Sequence, residues 1–274
     1  MTEKRPTPAA VLCYHSYRRE ADSYNKNDFI ALGEDLDNIK ELGIPVSSAL
    51  NIAQALQGHI PWENVAGSIA ITFDDGAILD YCDFITSSGK EYPALYQHLT
   101  RHNAPATSFV IASPNARHIL ETKSLNGEAM LSEHWWSPAT TGLIDVGNHS
   151  WDHNHTDLPW PHPMHVKKGS FFEIKTEESA DWEVSLAQTY IKNASGREPK
   201  LFAYPYGDVS EYLRDEYFPA RAEKIGLLGA FSTGGQLVTP TTCRWEIPRF
   251  VCGHHWKHPS GLIELVLDRI RKQT

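Results

Sequence analysis

Ser68-Ile69-Ala70-Ile71-Thr72-Phe73-Asp74-Asp75-Gly76 is the stretch on which the reading of the fold turns. A run of small and β-prone residues leads into two adjacent carboxylates, and a glycine ends it. The pattern predicts a buried strand whose C-terminal end delivers both acids to a turn. Adjacent carboxylates repel, so a fold that keeps both at one strand end calls for a cation beside them. Strand ends are also where α/β barrels build their active sites. Taken alone, the same residues also fit an Asp-Gly turn with two solvated acids, so the remainder of the chain has to decide.

Upstream, Val11-Leu12-Cys13-Tyr14-His15 reads as a short apolar strand ending in a histidine. Phe29, Leu32, Leu36, Ile39 and Leu42 fall at helical spacing, with Asp28 as the expected cap and Gly43 as the stop. A second helix is expected over 48–56. Downstream, Tyr92, Leu95, Tyr96 and Leu99 mark a helix, 106–112 a strand, 116–120 a short helix and 143–147 another strand. That last strand runs straight into Asn148-His149-Ser150-Trp151-Asp152-His153-Asn154-His155. Residues 156–175, with Pro159, Pro161 and Pro163, form a long loop of the kind that often serves function, here as a wall or lid. A helix over 179–193 and a strand over 200–204 lead into Pro205-Tyr206-Gly207-Asp208. Then follow a helix over 210–225, a strand over 227–232, an extended segment over 245–251 and a last helix over 260–271. Strands alternate with helices and no Gly- or Ser-rich linker interrupts them, which predicts one parallel α/β barrel spanning 1–274.

The 274 residues are 41% hydrophobic and 22% charged, an ordinary globular mix that argues against disorder. A formal net charge of −9 argues against a protein that tracks nucleic-acid phosphates. No stretch reaches the ~20 apolar residues of a membrane helix. Residues 1–10 have no apolar central region, so they do not read as a secretory signal. The expected compartment is the cytoplasm, or the periplasm or exterior if a signal was removed. Cys13, Cys82, Cys243 and Cys252 form no C-x-x-C pair and are expected to be free thiols. The 14 histidines point toward metal or acid–base work.

His149 and His153 are four apart, so a helix or a tight loop can aim both imidazoles at one point. Imidazole is the commonest neutral nitrogen ligand of zinc, and a carboxylate is a usual third ligand of an open catalytic site. The pair at one strand end and Asp74-Asp75 at another make a two-histidine, one-carboxylate site reasonable. Surface histidine pairs at this spacing are common, so the pair alone decides little.

Thr72-Phe73-Asp74-Asp75-Gly76, His149-Ser150-Trp151-Asp152-His153 and Phe202-Ala203-Tyr204-Pro205-Tyr206-Gly207 together resemble the first three ordered motifs of the polysaccharide deacetylases, carbohydrate esterase family four. The resemblance runs from about Ile69 to Arg249. It implies a distorted (β/α) barrel with about seven parallel strands, and metal-dependent removal of acetyl groups from an N-acetylated amino-sugar polysaccharide or oligosaccharide. It further implies Asp75, His149 and His153 as metal ligands, zinc as the ion, Asp74 as the base that takes a proton from the attacking water, and the Tyr206 N–H as a partner of the oxyanion. Tyr206, Trp151 and Pro205 are then the expected substrate contacts. Trp135, Trp136 and Trp160 are further candidates for a sugar groove.

The chain departs from the family pattern in three places. The late histidine motif is absent. Leu12-Cys13-Tyr14-His15 resembles the N-terminal tyrosine–histidine of circularly permuted deacetylases, making His15 the expected general acid, with His254 and His255 as alternatives. Ala203 stands where many members carry an arginine, and Arg249 is expected to replace it beside Asp74. The fourth motif, with its aspartate and tryptophan, is also missing. That leaves room for a related barrel that cleaves cyclic ureides or other C–N amide bonds. A non-catalytic carbohydrate-binding barrel is a third reading, disfavoured because it need not retain a base and a full ligand set.

Overall fold

The computed structural model describes residues 6–160 and 166–271. Its strands are β1 (Ala10–Tyr14), β2 (Ile69–Phe73), β3 (Phe84–Ile85), β4 (Glu91–Tyr92), β5 (Ala106–Val110), β6 (Ile144–Asn148), β7 (Leu201–Ala203), β8 (Gly229–Phe231) and β9 (Phe250–Val251). Seven of them form one sheet in the order β8-β7-β6-β5-β2-β1-β9, every neighbour parallel, while β3 and β4 make a separate antiparallel hairpin.

Both faces of β1 and β2 are buried from end to end, as parallel strands covered on two sides require. Alternation sorts their side chains. Ala10, Leu12, Tyr14, Ile69, Ile71 and Phe73 pack with the surrounding helices. Val11 and Ala70 face inward with Phe109, Ala203, Phe231 and Ile247. The inward set continues by period two to Cys13, Thr72 and Asp74, so the strand geometry itself puts Asp74 at the mouth of the barrel.

The segment 245–251 joins the two edges of the sheet. Ile247 bridges Phe231 of β8, its N–H donating to the Ala230 carbonyl at 2.8 Å, and further on β9 pairs with Leu12 and Cys13 of β1. The expected distorted (β/α) barrel of seven parallel strands is therefore the architecture of the chain, closed by a few residues rather than by a full strand.

Three sequence expectations need correction. Asn27, not Asp28, caps the helix Asp28–Glu41, accepting from the Phe29 and Ile30 N–H groups from an extended backbone. Asp28 instead turns inward, accepts from the His15 N–H at 2.6 Å and pairs with Arg18. Tyr92 belongs to the β3–β4 hairpin, and the helix begins only at Tyr96. Trp135 and Trp136 are fully buried core residues and line no groove; Trp136 is covered by the Arg117 guanidinium at 4.8 Å. All four cysteines are free. Of the proline-rich loop, residues 161–165 lie outside the described residues. No helix among the described residues is long and apolar enough to cross a membrane.

Candidate active site

Asp74 and Asp75 leave β2 in different directions. Asp74 keeps the inward orientation of the strand, while Asp75 takes a left-handed backbone with φ 70°. That reversal swings its carboxylate out of the barrel interior toward the loop after β6. Gly76 follows at φ 71°, and a Cβ there would lie 2.6 Å from Val110 Cγ1 of β5, so only glycine fits so close to the neighbouring strand.

The loop after β6 is tight rather than helical. Ser150 and His153 have φ of 71° and 61°, conformations that non-glycine residues adopt only when their surroundings enforce them. The enforcement is visible. The Ser150 N–H donates to the Asn148 side chain at 2.8 Å, the His153 N–H donates to the Ser150 hydroxyl at 2.9 Å, and the Trp151 N–H donates to the Glu183 carbonyl at 2.8 Å. His149 Nδ1 lies 2.9 Å from the Ala203 carbonyl, which assigns its proton to Nδ1 and leaves Nε2 as a lone-pair donor.

The result is a convergence of Asp75, His149 and His153. Asp75 Oδ1 lies 3.5 Å from Nε2 of each histidine, and the three ligand atoms all lie within 4.8 Å of one another. Asp75 Oδ2 accepts from the Tyr17 hydroxyl at 2.7 Å. Burial drives the His153 imidazole down to about 3 against the pull of Asp75, so it stands neutral, the state a metal ligand needs. Two ring nitrogens and one carboxylate oxygen converging in this way fit a divalent cation of the zinc type, with Asp74 Oδ2 also 3.9 Å from the His149 Nε2.

Asp74 stands apart from this set. Arg249, wholly buried, grips it in a fork: Nη1 to Oδ1 at 2.6 Å and Nη2 to Oδ2 at 2.8 Å. Burial alone would raise the Asp74 carboxyl; Arg249, then His149, overcome it and hold Asp74 well below the usual carboxylate range. Arg249 is itself fixed by the Ser232 carbonyl, the Thr72 hydroxyl and the Phe109 ring. Cys13, His15 and Asp74 also bring ligand atoms within 4.8 Å of one another. A cation there would sit against the Arg249 guanidinium, so this second group suits proton work better than metal binding.

His15 therefore reaches the site from the end of β1. His254 and His255 pack on each other, and His255 packs on Phe250 with its Nδ1 accepting from the Val251 N–H. Tyr206, at φ 62°, projects its ring against His153 at 4.4 Å and stays 45% exposed, the most open residue of the group. It lines a cavity of about 200 Å³ with Tyr17, Asp75, Leu131, His153 and His155. Pro205 is buried beneath it. Trp151 packs edge-on against Trp182 and Tyr190, and Trp160 donates to Asn154 under the Lys168 ammonium; neither belongs to the cavity lining.

Two contributors were not legible beforehand. Tyr17 carried no signal beyond lying two residues past His15. Glu183 carried no signal beyond lying in the helix expected over 179–193; it falls in a π-helical stretch, Asp181–Leu186, and is buried with its carboxylate accepting from the Asp152 N–H at 3.2 Å.

A family model described as polysaccharide deacetylase matches residues 63–222. This chain belongs to the polysaccharide deacetylase family. That makes it a hydrolase of carbohydrate amide C–N bonds. A search of curated protein sequences finds no match. Among solved structures the chain is similar to IcaB from Ammonifex degensii, with TM-score 0.66 and 19% identity over 97% of this chain and 98% of that one. It is also similar to the deacetylase PplD of Streptococcus pyogenes, in complex with acetate, with TM-score 0.64 and 16% identity over 95% and 98%. The de-N-acetylase of Aggregatibacter actinomycetemcomitans aligns with TM-score 0.62 and 18% identity over 94% and 99%. At these identities the likeness speaks for the fold alone.

Proposed function

We propose that this chain, as one catalytic unit, is a divalent-metal-dependent hydrolase that removes N-acetyl groups from an amino-sugar polysaccharide or oligosaccharide, with zinc as its ion. The observation that carries the reading is the division of labour at the end of β2. Asp75 meets the Nε2 atoms of two imidazoles, whereas Asp74 next to it is committed to Arg249 and kept ionised.

Asp75, His149 and His153 would hold the cation, which when bound lowers the pKa of a water and polarises the acetamide oxygen. The remaining steps belong to the protein. Asp74 takes the proton of the attacking water, because Arg249 holds it as a charged acceptor 3.9 Å from the His149 Nε2. The Tyr206 N–H, turned by its left-handed backbone, stabilises negative charge developing on the carbonyl oxygen. His15, beside Asp74, returns a proton to the departing amine so that the C–N bond can break. Tyr206 and Tyr17 flank the space in which the acetyl group would sit. The intact base and ligand set supports catalysis over a binding-only role.

Acetate release from N-acetylated amino-sugar oligomers, measured before and after chelation and again after Zn²⁺ is restored, tests the reading. Release is expected to stop on chelation and to return with zinc. Undiminished release from metal-free protein contradicts it.

A further inference from the structure

Asp75 has two oxygens and the two imidazoles face only one of them. Oδ1 lies between the two Nε2 atoms, whereas Oδ2 is engaged by the Tyr17 hydroxyl at 2.7 Å. A carboxylate left free can bind a cation through one oxygen or two, and the second contact consumes a coordination position that an open catalytic site keeps for water or substrate. We propose that Tyr17 is the positioning residue of this metal centre: its hydroxyl holds Asp75 to one-oxygen ligation and fixes the carboxylate's orientation. The proposal rests on Asp75 being a ligand.

The fold holds Tyr17 independently of Asp75. The turn from His15 to Arg18 is closed by the Arg18 N–H donating to the His15 carbonyl at 2.9 Å. Asp28 then pins both ends, accepting from the His15 N–H, pairing with the Arg18 guanidinium and donating its own N–H to the Arg18 carbonyl at 3.0 Å. The His15 ring packs edge-on against Tyr17 at 5.8 Å. A donor pre-set in this way orients its acceptor, which is what the outer partners of metal ligands do. One short turn thus presents His15 and, two residues on, the group that sets the metal ligand.

The test is the Zn²⁺ dissociation constant of Tyr17→Phe by chelator competition, together with the melting temperature of the metal-free protein. Tyr24→Phe is the control, because the Tyr24 hydroxyl also donates to a buried carboxylate, Asp35. Tyr17→Phe is expected to bind zinc roughly 10- to 100-fold more weakly with its metal-free melting temperature unchanged, and Tyr24→Phe to melt lower with zinc affinity unchanged. A Tyr17→Phe dissociation constant within about twofold of wild type, below the tenfold or greater loss expected for such partners, overturns the proposal. So does a loss of affinity accompanied by a melting shift as large as that of Tyr24→Phe. Wild-type zinc affinity in Asp75→Ala would instead remove the ligand assignment beneath it.

Discussion

Asp74 and Glu183 are both buried carboxylates next to the loop that carries the histidines, yet they settle in opposite protonation states. Burial pushes each upward. At Asp74 the forked Arg249 contact outweighs it and the group stays charged. At Glu183 burial is joined by the Asp152 carboxylate and outweighs both Lys168, whose Nζ lies 3.1 Å from Asp152 rather than on Glu183 itself, and the hydrogen bond from the Asp152 N–H. Glu183 is thus held well above the usual range and keeps its proton. The lesson is that depth alone does not decide charge; a cation committed in two hydrogen bonds does. One carboxylate is thereby kept charged, and the other serves as a neutral brace under the Trp151–Asp152 backbone.

The sharpest way to break this contrast is to remove the cation. Arg249→Met strands Asp74 in a dry pocket and is expected to cost about 3–5 kcal/mol of stability, read by denaturant unfolding at neutral pH, with acetate release falling alongside. The pH dependence has a definite sign. Asp74, with its folded pKa depressed, contributes stability that is present above the unfolded value of about 4 and lost as pH falls below it. Glu183 works the other way, since stability falls as pH rises from about 4.3 toward its raised folded pKa. The wild-type acid limb should therefore flatten in Arg249→Met.

A smaller effect is expected at Lys168→Met, which leaves Asp152 without its ammonium and should cost about 1–3 kcal/mol. Thermal melting checks it, and an unchanged melting temperature would mean the Lys168–Asp152 pair does not brace the loop. Smallest is Glu183→Gln. Because Glu183 already carries a proton, the amide should change stability by no more than about 1 kcal/mol near pH 4, and as pH rises toward neutral the variant should become the more stable of the two because the decline that Glu183 contributes is erased. A large loss at neutral pH would show that Glu183 is charged in the native state.

Much of this was readable from residues alone, and the boundary is physical. Strand alternation carried Asp74 into the barrel with Cys13 and Thr72, and motif order brought His149 and His153 to it. Arg249 was anticipated from the gap left by Ala203, and it reaches Asp74 because the segment that closes the barrel also carries it. What stayed hidden depends on geometry with no sequence period. Glu183 points inward only because a π-helical stretch shifts the register of its helix. Tyr17 matters because a turn pinned on Asp28 aims it. Trp135 and Trp136 suggested a sugar groove by type, and packing made them core.

The central claim is that two adjacent acids have separate tasks. Asp74→Asn and Asp75→Ala, compared side by side for bound metal and acetate release, test it most directly. Asp74→Asn should retain the wild-type metal content while turnover falls by about 10²- to 10⁴-fold, and Asp75→Ala should lose metal and turnover together. Wild-type turnover in Asp74→Asn, or metal loss in it as complete as in Asp75→Ala, would contradict the account.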